Sequence, residues 1–219
     1  MENNLTQFVS SDSFVKRLLS AVIIIPAMII PILFNGLSLI LIYLALLTFV
    51  SSEIINIIKN TNYKIFASIY LFASIFSFFF FIILLMSIEV RELFILIIII
   101  IWIFDTFSYL GGSIFKGKKI FPNISKGKTY SGFFTGLIVA SIFYFFTENY
   151  FISNHIIHYY FILTIIILAF IGDTVVSLLK RSALIKDSGN LIPGHGGFLD
   201  RLDSFIFVFL VVDIYFLLI

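Results

Sequence analysis

Long apolar runs, each near the length of a bilayer crossing, alternate with short polar stretches along this chain of 219 residues. The pattern predicts an all-α, polytopic transmembrane helix bundle of about seven spans, at about 18–34, 37–52, 65–86, 93–111, 132–147, 159–179 and 205–219. Several of these are short for a hydrocarbon core of ~30 Å, which implies tilt, local thinning or burial among neighbours. Asn35-Gly36 predicts a tight turn after the first span, and Pro26 and Pro31 predict kinks within it. Lys16 and Arg17 precede that first run, which lacks a small-residue cleavage pattern and is followed by further spans. It is expected to be a membrane helix rather than a cleavable signal. No internal repeat or linker divides the chain, so residues 1–219 are expected to form one membrane domain.

Composition sharpens this picture. Hydrophobic residues make up 61% and charged residues 12% of the chain, which excludes an ordinary soluble domain. The 29 Phe reflect a general preference and carry no site meaning. There is no Cys, which removes disulfides, thiolate nucleophiles and Cys-based zinc sites.

The net charge of +2 says little, but its distribution says more. With a cytoplasmic N-terminus and seven spans, Lys16, Arg17, Lys59, Lys64, Lys116, Lys118, Lys119, Lys126, Lys128, Lys180, Arg181, Lys186 and Arg201 all fall inside, and only Arg91 falls outside. The polar loops 112–131 and 180–204 are therefore expected to face the cytoplasm.

Asp105 lies within the fourth predicted span and Asp173 within the sixth. Acids at such depth cost a few kcal/mol to insert and are kept where they face a cavity, a partner or a metal. Asp173, Ser177, Lys180 and Arg181 are spaced by four, seven and eight residues, which places them on one helical face running to the membrane rim. Asp200 and Asp203 are one turn apart where the last helix begins. Paired carboxylates beside a loop are the oxygen ligands that Mg²⁺ prefers, with substrate phosphates completing the shell. Lys180, Arg181, Lys186 and Arg201 can meet the remaining phosphate charge.

Between these groups lies Pro193-Gly194-His195-Gly196-Gly197, a backbone that a ligand can approach closely and whose amides can cradle an anion. His195 can donate to a phosphate, act as acid or base, or cap the loop. The other loop, KGKKIFPNISKGKTYSG at 116–132, carries five Lys with Ser125 and Thr129 among turn-formers. It suits a nucleoside triphosphate, a lipid phosphate or plain anchoring on anionic lipid. Its Gly-Lys-Thr is not a P-loop, since the required earlier Gly falls at Pro122 and no strand precedes it.

The stretch SLLKRSALIKDSGNLIPGHGGFLDRLDS, residues 177–204, resembles the signature of the CDP-diacylglycerol synthase (phosphatidate cytidylyltransferase) family. Ser177, Lys180-Arg181, Lys186-Asp187, His195-Gly196-Gly197 and Asp200-Arg201 with Asp203 each match an element of it. Residues 105–132 are similar to the family's upstream segment through Asp105, Tyr109, Pro122, Ser125, Lys128 and Thr129. Lys126 stands where a Pro is usual there, and Ser131 where a Glu is common. The resemblance covers about the C-terminal half and makes residues from about 93 to 219 the catalytic half, with N-terminal spans at about 18–86.

That resemblance implies a Mg²⁺-dependent nucleotidyltransferase in which CTP and phosphatidate give CDP-diacylglycerol and pyrophosphate. It implies metal on Asp173 and Asp200, to which Asp203 is added as a nearby ligand. Asp173, Asp200, Lys180, Arg181 and His195 are the expected catalytic groups. Ser125, Lys128, Thr129, Ser177, Lys186, Gly196, Gly197 and Arg201 are the expected substrate contacts. The expected partners are the two substrates and the bilayer, with no nucleic acid; a homodimer is left open. The expected location is a bacterial inner membrane, with the site facing the cytoplasm. The rival readings are a CTP-dependent polyprenol- or phytol-type kinase and an ion-coupled transporter using Asp105, Asp173 and Asp213. For Asp213 itself, deep in the last span, a buried hydrogen bond is expected.

Overall fold

The computed structural model describes residues 26, 28–33, 36–125, 127–151, 159–191 and 196–218. Among these, a short helical segment at 28–33 is followed by six helices: α1 (Leu37–Asn60), α2 (Lys64–Leu84), α3 (Ile88–Phe115), α4 (Tyr130–Phe151), α5 (Tyr159–Ser182) and α6 (Leu199–Leu218). The chain is an all-α, multi-pass membrane bundle. The first five of these helices are long and apolar enough to cross a membrane. The sixth is of similar length but carries Asp200, Arg201, Asp203 and Asp213. It packs against α1, α2, α3 and α5, and so sits centrally among the described helices.

Each pairing follows from the residues at its seam. Where α3 meets α4, Gly132 and Gly136 lie directly against the Ser108 and Phe104 carbonyls, so the two backbones approach as small residues allow in membranes. Phe81, Phe94 and Phe209 join α2, α3 and α6, with Phe81 and Phe209 stacked at 4.3 Å and Phe81 and Phe94 edge-to-face at 4.6 Å. Such rings fill space that lipid would otherwise fill, so many of the Phe are packing elements. Asp213 is buried here and accepts a hydrogen bond from Ser77 Oγ at 3.2 Å, as expected for it.

Several helices are longer than the apolar runs indicate. The helix predicted at 37–52 continues to Asn60, because Ile54 and Ile57 extend the buried face beyond Glu53. The span predicted at 205–219 begins at Leu199, with Asp200, Arg201 and Asp203 inside the first turns of α6 rather than before them. The polar loops shrink accordingly, to residues 116–129 and 183–198. The kink expected at Pro26, and the Asn35 half of the first turn, lie at the edge of or outside the described residues; Gly36 is in the left-handed region with φ 76°.

Candidate active site

The loop after α3 turns because Lys116 takes a left-handed conformation, φ 48°, with its N–H bonded back to Gly112 O. It then closes on itself as a narrow antiparallel bridge between Lys119 and Thr129, with Ile120 N donating to Lys128 O and Tyr130 N to Lys118 O. This folds Lys128 and Thr129 back over the ends of α3 and α5. Thr129 caps α4, its Oγ1 accepting from Gly132 N at 3.1 Å. Ser131, which departs from the family pattern, accepts from Gly117 N at 3.1 Å and ties the loop's start to its end.

Lys128 Nζ lies 3.0 Å from Asp173 Oδ2, donates to Thr174 Oγ1 at 2.7 Å, and sits 4.8 Å from the centre of the Phe170 ring. Asp173 also accepts from Ser177 Oγ at 3.2 Å, as the four-residue spacing on α5 requires. The stripe read from α5 divides at its end. Lys180 turns inward, to 2.5 Å from Asp200 Oδ1, in a pair whose side chains are only 10% and 8% exposed. Arg181 turns outward, donating through Nε to Ile124 O at 3.1 Å and through Nη1 to Ile185 O at 2.9 Å. It thereby joins the two polar loops to each other. Lys186 is exposed.

Asp200 stands at the centre of the second loop. Besides Lys180, it receives Ser188 N at 2.8 Å and Gly197 N at 3.0 Å on Oδ2. Gly196 is in the left-handed region, φ 86°, and a Cβ there would strike that same oxygen. A Cβ on Gly197 would strike Glu53 Oε2. The backbone at both glycines is thus pressed against the protein's own carboxylates. His195 lies outside the described residues, as does Lys126.

Glu53, on α1, is a site residue that the sequence reading passed over. It is 5% exposed and accepts three hydrogen bonds: Phe198 N at 3.0 Å, Leu199 N at 2.9 Å and Ser188 Oγ at 2.6 Å. The signal was present in the 3.6-residue period, since Glu53 falls in series with Tyr43, Leu46, Val50 and Ile57 on the buried face of α1.

These elements enclose a cavity of about 290 Å³. Asp105, Asp173, Asp200 and Asp203 line it together with Lys128, Arg201, Ser125 and Thr129, and Phe104, Phe133 and Phe170 add apolar surface. The sequence therefore brings seven of its candidates, Asp173, Asp200, Asp203, Arg201, Lys128, Ser125 and Thr129, to one cavity. Ser177, Lys180, Arg181, Lys186, Gly196 and Gly197 stand behind or beside it.

The donor set fits a hard divalent cation. A carboxylate offers about four lone-pair sites, of which Asp200 uses three within the protein and Asp173 two. Among the described residues, no three His, Cys, Asp or Glu side chains converge tightly enough to enclose an ion alone. That suits Mg²⁺, which keeps waters and substrate phosphates in its shell and needs only one or two carboxylates.

A phosphatidate cytidylyltransferase of Rickettsia conorii is 35% identical over 208 residues, covering 90% of this chain and 88% of that protein. One from Rickettsia felis is 46% identical over 126 residues, 53% of this chain and 55% of that protein. One from Staphylococcus epidermidis is 40% identical over 119 residues, 53% of this chain and 45% of that protein. Residues 6–219 match the Cytidylyltransferase family as a whole, so the match takes in the helix that carries Glu53 as well as both polar loops, and the chain belongs to that family.

Proposed function

We propose that this chain is a phosphatidate cytidylyltransferase, joining CTP and phosphatidate to give CDP-diacylglycerol and pyrophosphate. The observation that carries the reading is the mixed lining of the cavity, where four acids and two cations stand together with three Phe. One reactant is a water-soluble polyanion, and the other is an anionic headgroup whose acyl chains stay in the bilayer. A cavity at the end of apolar helices is where both can meet.

An oxygen of the phosphatidate phosphate attacks the α-phosphorus of CTP, and the bond to the β-phosphate breaks to release pyrophosphate. The attacking oxygen is already anionic at neutral pH, so no strong base is needed. The barrier is electrostatic: two polyanions must be held together while charge moves to the leaving group. Lys128 and Arg201 border the cavity and can meet phosphate oxygens there. Lys180 holds Asp200 in position from behind. Asp173 and Asp200 would hold Mg²⁺, with Asp203 close by, and the ion would supply neutralisation of the phosphate charge.

The test is to incubate purified protein with Mg²⁺, CTP labelled at either the α- or the γ-phosphate, and either phosphatidate or a polyprenol, and to extract the lipid. Label from the α-phosphate alone is expected in the lipid. Label from the γ-phosphate would replace this reading with a lipid kinase. The proposed membrane is the bacterial inner membrane, with both loops on the cytoplasmic side. Because the chain has no Cys, Lys186→Cys on the exposed part of the second loop is a clean reporter. A membrane-impermeant thiol reagent is expected to leave it unlabelled in intact cells and to label it in inverted vesicles. The reverse pattern would overturn the orientation.

A further inference from the structure

The first turn of α6 lacks a cap of its own. Phe198 O accepts the first helical bond, from Leu202 N at 3.1 Å, which makes Phe198 the N-cap residue. Ser, Thr, Asp or Asn at that position would satisfy the free amides, and Phe cannot. Glu53, from α1, instead satisfies the two amides that come just before those such a cap would reach, accepting both Phe198 N and Leu199 N. A carboxylate is also the charge that a helix N-terminus favours. One turn before Glu53, Phe49 stacks on the Phe198 ring at 4.9 Å, so the same face of α1 grips the turn twice. Glu53 further holds Ser188 Oγ, while Ser188 N is one of the amides on Asp200. Both backbone segments that support Asp200 are therefore fastened to one carboxylate. Gly189 and Gly197 leave the space for it, since a Cβ at either would meet the Glu53 carboxylate.

We infer that Glu53 is a positioning residue for Asp200, the carboxylate proposed to hold the cation, acting from α1 through the first amides of α6; the inference rests on the reaction proposed above. Glu53 does not border the cavity, so its effect reaches the reaction through the placement of Asp200. Partners of this kind cost about ten- to a hundredfold in metal affinity or activity when altered.

Glu53→Gln keeps the size but sets an amide N–H against a backbone N–H or the Ser188 hydroxyl. In detergent-purified protein, the Mg²⁺ concentration for half-maximal activity is expected to rise about tenfold, with the KM for phosphatidate within about twofold. Glu53→Asp, which retains the charge, is expected to recover part of the Mg²⁺ response. Hydrogen exchange is expected to quicken in residues 186–191 and 196–204, and to stay unchanged in α4. Unchanged exchange with an unchanged Mg²⁺ response would overturn the inference. So would faster exchange with a normal Mg²⁺ response, which would leave Glu53 holding the turn without influence on Asp200. A shifted Mg²⁺ response with normal exchange would also overturn it, because the effect would then be long-range charge rather than position. If Glu53→Gln does not fold, Ser188→Ala removes one bond on the same carboxylate and should move both readouts less, in the same direction; no movement would overturn the inference. A wild type that makes no CDP-diacylglycerol would defeat the proposed reaction, while the exchange measurement would still decide whether Glu53 holds the turn.

Discussion

Asp200→Asn is expected to lower CDP-diacylglycerol formation by at least about a hundredfold, since even residues that only support a metal ligand cost up to that much. The substitution acts twice. It removes a charge from the oxygen set bordering the cavity, and it places an N–H donor against either Lys180 Nζ or the Ser188 and Gly197 amides that Asp200 now accepts. Stability should also fall, because removing one partner from a buried ion pair costs about 3–5 kcal/mol. Adding Lys180→Met removes the stranded ammonium and should return part of that stability, since replacing a buried pair by apolar groups is often neutral. Activity should not return with it. Melting temperature in detergent and α-label transfer from CTP, measured on the single and double variants, separate the two effects. Recovery of both together would make Asp200 a structural partner of Lys180. Activity of the single variant near wild type would leave the family intact and remove Asp200 as a ligand.

The bundle itself was legible because apolar runs of bilayer length have few alternatives to helices. Their ends were not legible, for a physical reason visible at two places. The run at 37–52 was ended at the first polar cluster, Ser51-Ser52-Glu53, yet α1 buries Glu53 and continues to Asn60. The apolar run of the last span starts only at 205, yet α6 starts at Leu199 and holds Asp200 and Asp203 in its first turns, one turn apart where the helix begins, as their spacing predicts. In both cases the helix runs past the end of its apolar stretch, because a partner from another element allows a charge to stay inside. Such partners are separated by 135 residues or more for Glu53, and no local pattern carries them. The opposite holds for Asp173 and Ser177, whose spacing alone predicts the hydrogen bond that forms. The glycines after His195 were read as room for a ligand; the space beside Gly196 and Gly197 holds Asp200 and Glu53. A sequence shows that a backbone must be approached closely, but not by what.

Gly172→Val is expected to disable the protein from a position outside the lining of the candidate site. Gly172 precedes Asp173 on α5 and faces α6, where a Cβ would stand 2.7 Å from Phe207 Cβ and 2.8 Å from the Asp203 carbonyl oxygen. Neither neighbour can swing aside, since one is backbone and the other is fixed to it. The helices must separate, and this seam sets the distance between Asp173 on α5 and Asp203 on α6. Alanine gains up to about 1 kcal/mol over glycine in helix propensity, while overpacking costs about 1–3 kcal/mol. Gly172→Ala, which already carries that Cβ, should therefore be destabilising by about 1–2 kcal/mol. Valine loses most of the propensity gain and adds two methyl groups to the clash. Its melting temperature should fall clearly below that of the alanine variant. Activity should fall further than stability, because a displacement near 1 Å at reacting groups costs on the order of a hundredfold. The series glycine, alanine, valine is read by melting temperature and by α-label transfer at saturating Mg²⁺. A steeper decline in transfer than in melting temperature is the expected result. Full transfer in a folded valine variant would mean that the acids of α5 and α6 need no fixed separation, and that the cation they hold is carried chiefly by one helix.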